Sequence, residues 1–316
     1  MIKKIKRTGK EASLDKLHKA IEEAIDQFKK EKGTESSYPV IDGKKYFLKI
    51  AAQNRYRHVK NEIDMLQRLS SIHSFYKNYF ITSFEKDGKI GMLNRFIENS
   101  SDLTISIKPY NRLTLDDILT LYNSLLKKVK FFHDHSLTHG DIKAGNFLIS
   151  NNHVELIDME SVNDFSDPNK QEIFYIKTKE YALPSVINKT QFENIKDAFF
   201  LYQYLDIYSV SLLILYIYNY RVFRQIHNSS GWNLCKRHPK KVVERRTNLL
   251  LHLLYYVFSF LPDYSGRKKI TLPFETKEDI PSLDDMIYIL DHRSQINPEF
   301  LKKISDRCET EIMPII

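Results

Sequence analysis

The sequence is poor in glycine and cysteine. Its 316 residues include nine glycines and two cysteines. With so few glycines, long glycine-rich binding loops are not expected. Cys235 and Cys308 cannot form a disulfide framework, nor supply a four-thiolate zinc site by themselves. The two cysteines suit a reducing compartment, so a cytoplasmic location is expected, and delivery into the cytoplasm of another cell is left open.

A secretory signal peptide is not evident, because the basic start at residues 1–7 is not followed by an apolar run. Two apolar stretches deserve consideration as membrane spans. Residues 201–220 contain Gln203 and Asp206, and residues 249–261 are too few to cross a bilayer core of about 30 Å. We therefore expect both stretches to be buried helices of a soluble protein.

Positive charge exceeds negative charge by eight, with 48 Lys and Arg against 40 Asp and Glu. A hydrophobic content of 42% is enough for a core and excludes wholesale disorder. The surplus charge fits a solvated basic surface; the alternatives are attraction to nucleotide phosphate, to an acidic protein, or to a membrane or anionic glycolipid. The basic clusters at residues 3–10 and 236–246 lack interleaved aromatic residues, so no nucleic-acid partner is predicted.

Hydrophobic periodicity divides the chain into a small mixed α/β domain over residues 1–96 and a larger, helix-rich domain over residues 97–316. Neither internal repeats nor low-complexity tracts interrupt this pattern. The elements predicted for the first domain are a helix over 12–31, a hairpin over 38–50 turning at Asp42-Gly43, a helix over 55–70, and a hairpin over 79–96 turning at Asp87-Gly88.

The segment most informative about chemistry runs from His139 to Asn146 and is followed, after a short hairpin, by Asp158. Phosphoryl transfer requires a carboxylate that accepts the proton of the attacking hydroxyl, oxygen ligands for Mg²⁺, and a cation that steadies the phosphate charge. Asp141, Asn146 and Asp158 supply suitable oxygens, and Lys143 could reach the transferred group. The alternative is an ordinary turn, since His, Gly, Asp and Asn are common loop residues.

This segment resembles the catalytic loop of the protein-kinase superfamily, H-x-D-x-K-x-x-N, with a metal-binding aspartate after a strand pair. The resemblance implies an α+β, bilobal fold, in which a small N-lobe has an antiparallel sheet plus a helix and a larger C-lobe is mostly helical. It implies ATP and Mg²⁺ as cofactors, with Mn²⁺ as a possible substitute. The implied roles are catalytic base for Asp141, phosphate contact for Lys143, metal ligands for Asn146 and Asp158, and structural anchor for His139.

Two further matches lie in the first domain. Lys49 falls on a predicted strand and Glu62 follows it by 13 residues on a predicted helix, which is the order of the family's phosphate-binding lysine and the carboxylate that holds it. Taken alone, Lys49 fits a solvent-facing strand residue and Glu62 an ordinary surface charge. The run 92–99 resembles the hinge that binds adenine through its backbone. The implied nucleotide-binding residues of this run are Asn94, Arg95 and Phe96.

Two downstream segments extend the resemblance. Residues 178–184 resemble the end of an activation segment that starts at Asp158 and forms the shelf for a protein substrate. Asp206 resembles the aspartate at the start of the buried central helix, which braces the catalytic loop through backbone N–H groups. A lone carboxylate in so apolar a helix needs such partners, because burying it unpaired is costly. An ordinary helix N-cap is the alternative.

Three departures from the family pattern affect the functional interpretation. Residues 33–40 have the spacing of the glycine-rich loop, but Glu35 and Tyr38 occupy two glycine sites, and the segment follows a helix rather than a clear first strand. Asp158-Met-Glu160 replaces Asp-Phe-Gly, and Glu160 could join the metal shell, as in aminoglycoside and choline kinases. Gly140 replaces the arginine before the catalytic aspartate, so control by a phosphorylated activation loop is not expected.

The leading interpretation is a divergent Ser/Thr protein kinase that lacks a glycine-rich loop and acts on a protein substrate. One alternative is a sugar kinase such as those of the lipopolysaccharide core, whose catalytic loops read similarly. Another is a pseudokinase that serves as a binding module, although Lys49, Asp141, Asn146 and Asp158 are all present. The sequence does not indicate the oligomeric state.

Overall fold

A computed structural model describes residues 14–28, 33–106, 113–150, 153–167, 195–218, 249–259 and 280–295. The chain divides into two compact units. The first comprises residues 1–100 and 150–162, and the second comprises residues 101–149 and 163–316. The predicted domain boundary after residue 96 stays a prediction. The basic clusters at 3–10 and 236–246 and the shelf at 178–184 lie outside the described residues.

The described residues form eight α-helices and ten strands. The helices are α1 (Leu14–Gln27), α2 (Tyr56–Ile72), α3 (Ser74–Tyr79), α4 (Leu103–Ser106), α5 (Leu115–Asp134), α6 (Ile195–Tyr218), α7 (Leu249–Ser259) and α8 (Leu283–Asp291). The strands are β1 (Thr34–Ser37), β2 (Val40–Ile41), β3 (Lys44–Ala51), β4 (Phe80–Lys86), β5 (Lys89–Arg95), β6 (Ser100–Asp102), β7 (Leu137–Thr138), β8 (Phe147–Ser150), β9 (His153–Leu156) and β10 (Asn163–Asp164).

The first unit is built on an antiparallel sheet with the order β1-β3-β5-β4, in which β2 also pairs with β3. Two-residue turns at Asp42-Gly43 and Asp87-Gly88 connect its hairpins. The φ angles are 51° and 73° in the first turn and 52° and 70° in the second. Positive φ at both positions defines a type I′ turn, for which Asp-Gly is a preferred pair. Both predicted hairpin turns are confirmed.

Two predicted boundaries in this unit are wrong, and one strand was not predicted. Helix α1 ends at Gln27 rather than at residue 31. Tyr79 closes the short helix α3, so the strand predicted from residue 79 begins at Phe80. Residues 34–37 form β1, in which Ser36 lies opposite Lys49 on β3. The segment with the glycine-loop spacing therefore contains a strand, and it follows helix α1 in the element order, as expected from the sequence.

Helix α1 packs against one face of the sheet. Alternate residues of a strand point to the same face, and in β3 one such set is buried in a common cluster with residues of α1. The sheet contributes Tyr46, Leu48 and Ile50, and the helix contributes Leu17, Ile21, Ile25 and, just after its end, Phe28. The other set in β3, which includes Phe47 and Lys49, therefore points to the opposite face.

Lys89 ties the end of α1 to the sheet. Its Nζ donates to the carbonyl oxygens of Ile25 at 2.7 Å and Phe28 at 3.2 Å, where the helix dipole is negative. We expect Lys89→Met to lower the free energy of unfolding by about 1–2 kcal/mol in a denaturant titration, because two buried carbonyls lose a charged donor. Lys86→Met, at an exposed position of the same hairpin, is the control. An equal loss in both variants would contradict the role of Lys89.

The second unit is mostly helical, and α6 is its central helix. Among the described residues, Ala198–Tyr218 is one helix that is long and apolar enough to cross a membrane, but 78% of its most apolar window is buried inside the protein. Helix α7 packs beside it: the Tyr204 hydroxyl donates to the carbonyl of Val257, and Tyr208 meets Phe258 edge-on. The described parts of both apolar stretches considered as spans are therefore largely buried helices, as predicted.

Helix α8 packs against α5 in a part of the chain whose role the sequence left open. Asp291 accepts hydrogen bonds from Asn123 and Lys127, each at 2.7 Å. Arg293 donates to Asp116 at 2.8 Å, and Met286 is fully buried. Residues 280–295 are thus an integral part of the second unit. A sheet-based unit with helices and a mostly helical unit together confirm the predicted α+β fold class.

Candidate functional site

Lys49 lies on β3 within a ring of three carboxylates, all in the first unit. Its Nζ is 2.7 Å from Glu62 on α2 and 2.7 Å from Glu160, in the turn that follows β9. The third carboxylate, Asp158, is 3.4 Å away. Lys49 and Glu62 are buried, with 8% and 4% of their surface exposed. The ion pair suggested by the order of Lys49 and Glu62 in the sequence is therefore present in the fold.

Helix α2 fixes the turn that carries two of these carboxylates. The side-chain amide of Asn61 donates to the carbonyls of Met159, Glu160 and Val162 at 3.4, 3.1 and 2.9 Å. Asp158 enters the turn in the left-handed conformation, with φ of 66°, which is uncommon for a residue with a side chain. Three hydrogen bonds to one buried amide hold the backbone in place after that reversal.

Arg55 connects this turn to the start of α2. It forms a hydrogen-bonded ion pair with Glu160, whose other carboxylate oxygen faces Lys49. Glu160 thus lies between two cations. Carboxylate oxygens of Glu62, Asp158 and Glu160 lie within 4.8 Å of one another, and among the described residues they form a group able to hold a metal ion.

Mutual burial changes the pKa values of these groups. Burial of the Lys49 ammonium acts to lower its pKa, but the surrounding carboxylates outweigh burial, so the pKa of Lys49 is raised. Burial raises the pKa of Glu62 to about 7, with Lys49 opposing and the carboxylates of Asp158 and Glu160 adding to the increase. Glu62 therefore keeps its proton to a higher pH than an ordinary glutamate does.

The raised pKa of Glu62 predicts a pH-dependent stability. The pKa is 4.5 in the absence of the fold and about 7 in the folded protein, so the stabilisation from binding this proton is complete below about pH 4.5 and is lost as the pH rises to about 7. An amide resembles the protonated carboxyl. In EDTA, Glu62→Gln should match the wild-type protein in free energy of unfolding near pH 5 and exceed it by on the order of 2–3 kcal/mol at pH 8.

Glu22→Gln, at an exposed position of α1, is the control for this series and should track the wild-type protein across the pH range. A stability difference between Glu62→Gln and the wild-type protein that is the same at pH 5 and pH 8 would contradict the raised pKa.

The face of the sheet that carries Lys49 also carries an aromatic cluster made of Tyr38, Phe47 and Phe96. The Tyr38 ring lies 5.6 Å from Phe47 and 5.9 Å from Phe96 between centroids. The Lys45 ammonium lies 4.1 Å from the centre of the Phe96 ring and 4.8 Å from that of Tyr38, within the range of cation–π attraction. Tyr38 remains 54% exposed, so a flat aromatic surface is accessible there.

The segment predicted as the hinge lies at this edge of the sheet. Asn94 is fully buried and lies opposite Phe47 on β3, and Arg95 lies opposite Tyr46. The backbone N–H of Phe96 donates to the carbonyl of Lys45 at 3.3 Å. Of the three predicted nucleotide-binding residues, Asn94 and Arg95 therefore end β5 and Phe96 follows it, and the Phe96 ring joins the aromatic cluster.

In the second unit, the loop after β7 gathers the predicted catalytic residues. Lys143 donates to the Asp141 carboxylate at 2.6 Å. Asn146 donates to the Asp141 carbonyl at 2.8 Å and, more weakly, to its carboxylate at 3.4 Å. Asp141 and Asn146 are buried, whereas the Lys143 side chain remains 30% exposed. A lysine and an amide thus orient one carboxylate within a single loop.

Asp206 braces this loop from α6. Its carboxylate accepts hydrogen bonds from the backbone N–H groups of His139 at 2.7 Å and Gly140 at 2.9 Å, and lies 3.2 Å from the ring of His133. The predicted backbone contacts are present. The predicted position at the start of the helix is wrong, because α6 begins at Ile195 and Asp206 lies in its middle. The alternative of a helix N-cap is excluded for the same reason.

The structure thus gathers the predicted residues into two sets, one in each unit. Lys49, Glu62 and Asp158 meet in the first unit, where Asn94, Arg95 and Phe96 also lie, and Asp141, Lys143 and Asn146 meet in the second. Their individual functional roles stay predictions. Sequence reasoning missed Arg55, the hydrogen bonds of Asn61 and the ring of Phe47. Phe47 was accessible from the sequence, since it lies two positions before Lys49 and must share its face of β3.

The chain belongs to the protein kinase family. The sequence model of the protein kinase domain matches residues 35–257, more than half of the chain. The serine/threonine-protein kinase mph1 of Schizosaccharomyces pombe (strain 972 / ATCC 24843) is similar to it, with 32% identity over 114 residues. That match covers 34% of this chain and 16% of the relative's length. The predicted family and its bilobal α+β fold class are confirmed.

Proposed function

We propose that this protein transfers the γ-phosphoryl group of ATP to a serine or threonine hydroxyl of a protein substrate. The observation that carries the proposal is the buried ion pair between Lys49 and Glu62, with Asp158 beside it. A flexible ammonium must be fixed before it can bind phosphate oxygens, and Glu62 holds the Lys49 ammonium at 2.7 Å. Family membership and the likeness to a relative named as a serine/threonine-protein kinase support the same conclusion.

The side chains present fit a divalent ion. Mg²⁺ takes oxygen ligands and binds through one or two carboxylates plus phosphate oxygens, and Mn²⁺ accepts the same ligand types. Asp158 is the proposed ligand in the first unit, where the carboxylates grouped around it are oxygen donors of the required type, and Asn146 stays a ligand predicted from the sequence. When bound, the ion would neutralise charge on the phosphates.

The catalytic loop supplies the remaining groups. Asp141 would orient the acceptor hydroxyl and take up its proton, for which a carboxylate held by Lys143 and Asn146 is well placed within its own loop. Lys143 would move from Asp141 toward the transferred phosphoryl group. Lys49 would contact the phosphates from the sheet, and Glu62 would keep its ammonium in position.

The aromatic cluster is the proposed position of the base. Tyr38, Phe47 and Phe96 offer ring faces on the same side of the sheet as Lys49, and an exposed tyrosine ring can stack on a purine. The backbone of residues 94–96 would hydrogen-bond the edge of that base. A tyrosine in place of a glycine would then contribute by stacking, which compensates for the close backbone approach that a glycine-rich loop provides.

A sugar kinase is the second candidate, and the position of Glu160 favours it. Its carboxylate belongs to the group around Asp158, an arrangement similar to that expected in small-molecule phosphotransferases. A basic protein would also suit an anionic glycolipid acceptor.

The two candidates differ in the acceptor, so the test is an acceptor comparison. Purified protein is incubated with Mg²⁺ and ATP labelled at the γ-phosphate, with generic acceptor proteins in one series and lipopolysaccharide core sugars in the other. The proposal predicts label on serine or threonine that disappears in Asp141→Ala. Label on the sugar alone would support the second candidate, and no labelled product with a protein that fails to bind Mg²⁺-ATP would support a binding module.

A further inference from the structure

We infer that Glu160 competes with the nucleotide triphosphate for Lys49, and that Arg55 sets the strength of this competition by holding Glu160 when it leaves the lysine. The inference rests on the proposed function, because it requires Lys49 to bind phosphate. It assigns functions to Arg55 and Glu160 that the kinase pattern in the sequence does not contain.

Lys49 has a limited number of hydrogen-bond donors to share. A lysine ammonium has three N–H donors and no acceptor. Carboxylates of Glu62, Glu160 and Asp158 lie 2.7, 2.7 and 3.4 Å from this nitrogen. The ammonium donates to Glu62 and Asp158 and lies in ion-pair contact with Glu160, so three carboxylates compete for its three donors. A phosphate oxygen can therefore reach the ammonium only if at least one carboxylate gives up its place.

The three carboxylates differ in the free-energy cost of moving away from Lys49. Removing the cation from a buried carboxylate is strongly unfavourable, because an uncompensated charge is left in the interior. Among the described residues, Lys49 is the one cation in ion-pair contact with the buried Glu62, so departure of Glu62 would leave a charge unpaired. Glu160 has a second cation in Arg55. Asp158 is the most distant and most exposed of the three, and it is the proposed metal ligand.

Glu160 can move from Lys49 to Arg55 by a side-chain movement alone. The Asn61 amide donates to the carbonyls of Met159, Glu160 and Val162, so the backbone of the turn is fixed. One oxygen of Glu160 already faces Arg55 while the other faces Lys49. Rotation of the carboxylate toward Arg55 would free a donor of Lys49 without moving α2 or Glu62.

The electrostatics give the direction of the expected effects. Glu160 places a negative charge beside Lys49, where phosphate is proposed to bind, so removing that charge should strengthen nucleotide binding. Removing Arg55 should weaken nucleotide binding, since of the two cations Arg55 and Lys49 only Lys49 would then be left to pair with Glu160. Without Glu160, the presence or absence of Arg55 should matter little, because Arg55 acts through that carboxylate.

The test is a double-mutant cycle on ATP binding, measured by calorimetry with the full chain. We expect Glu160→Gln to lower the Kd about tenfold and Arg55→Met to raise it about tenfold, the scale of one hydrogen bond to a charged group. The double variant should bind like Glu160→Gln alone. Lys60→Met removes an exposed ion pair with Asp64 on the same helix and should leave the Kd unchanged.

Each titration is run once with Mg²⁺ and once in EDTA. Competition for Lys49 predicts the same order of affinities in both conditions. An effect of Glu160→Gln that appears only with Mg²⁺ would make Glu160 a metal ligand and would overturn the inference. Weaker binding by Glu160→Gln would overturn it as well, because Glu160 would then support Lys49 rather than compete with phosphate.

Two further outcomes keep the inference separate from the proposed function. If the wild-type protein binds no ATP in either condition, the proposed function is refuted. If the wild-type protein binds ATP and both variants bind it with the same affinity, the inference alone is refuted. Where thermal unfolding of Arg55→Met is no longer cooperative, Arg55→Lys replaces it. That variant keeps the charge and loses the fork geometry, and it should raise the Kd by a smaller factor.

Discussion

Asp141→Asn should lower kcat by about a thousandfold while leaving the melting temperature close to that of the wild-type protein. An amide of the same shape keeps the packing of the loop but cannot take up the proton of the acceptor hydroxyl, and loss of a general base costs 10²–10⁴-fold in rate, as an order of magnitude. The KM for ATP should change by about twofold at most, since the phosphate-binding residues proposed in the first unit are untouched. Steady-state kinetics at varied ATP, with a fixed protein acceptor, measure both constants.

Asp134→Asn is the matched control for this variant. Asp134 pairs with Lys130 at the exposed end of α5, in the same unit, and its loss should leave kcat and KM unchanged. Asp141→Asn with wild-type kcat would exclude Asp141 as the base. A raised KM with unchanged kcat would assign it to nucleotide binding instead.

Asp206→Ala should destabilise the protein by on the order of 3–5 kcal/mol and abolish detectable phosphoryl transfer. The carboxylate is 1% exposed and accepts from the backbone N–H groups of His139 and Gly140. Its removal leaves the buried N–H of His139 and the half-buried N–H of Gly140 without this acceptor, each costing about 1–3 kcal/mol, and opens a cavity beside α6. Urea titration followed by circular dichroism measures the free energy of unfolding.

Asp206→Asn separates the charge from the hydrogen bonds. Its amide oxygen still accepts from one of the two N–H groups, so the expected loss of stability is about half that of the alanine variant. A loss below about 1 kcal/mol in Asp206→Ala would contradict the proposed bracing of the catalytic loop, because a surface position would give a similar value.

The features of the site that are local in sequence are the ones that could be predicted. Asp141, Lys143 and Asn146 lie within six positions, so one short loop is enough to bring them together. Lys49 and Glu62 could also be paired, because a strand followed by a helix at that spacing returns the chain to the sheet. In both cases the pattern of residue types and their order carried the information.

The contacts of Glu160 could not be predicted in the same way. Whether its carboxylate faces a metal or a lysine depends on how the turn after Asp158 is rotated, and that rotation is fixed by three hydrogen bonds from Asn61, almost a hundred residues earlier in the chain. Arg55 reaches Glu160 over a similar separation. Ion pairs of this kind depend on tertiary packing and leave no periodic signal in the sequence.

The predicted boundaries of helices and strands were wrong where two features of the sequence indicated different structures. The aromatic run ending at Tyr79 suits a strand by residue type, yet Ser74–Tyr79 is helical and Phe75 stacks on Tyr79 one helical turn later. Asp206 was placed at a helix start because its segment resembles the start of the central helix in the family. The helix begins 11 residues earlier, since the preceding aromatic residues are also part of its buried surface.

The most direct test of the account is the affinity of the Lys49→Met variant for Mg²⁺-ATP, compared with that of the wild-type protein by equilibrium titration. Methionine keeps the length and the apolar stem of the side chain and removes the ammonium. We expect the wild-type protein to bind Mg²⁺-ATP and Lys49→Met to bind it at least about tenfold more weakly. Equal affinity in the two proteins would contradict the assignment of Lys49 and its carboxylates as the phosphate-binding site.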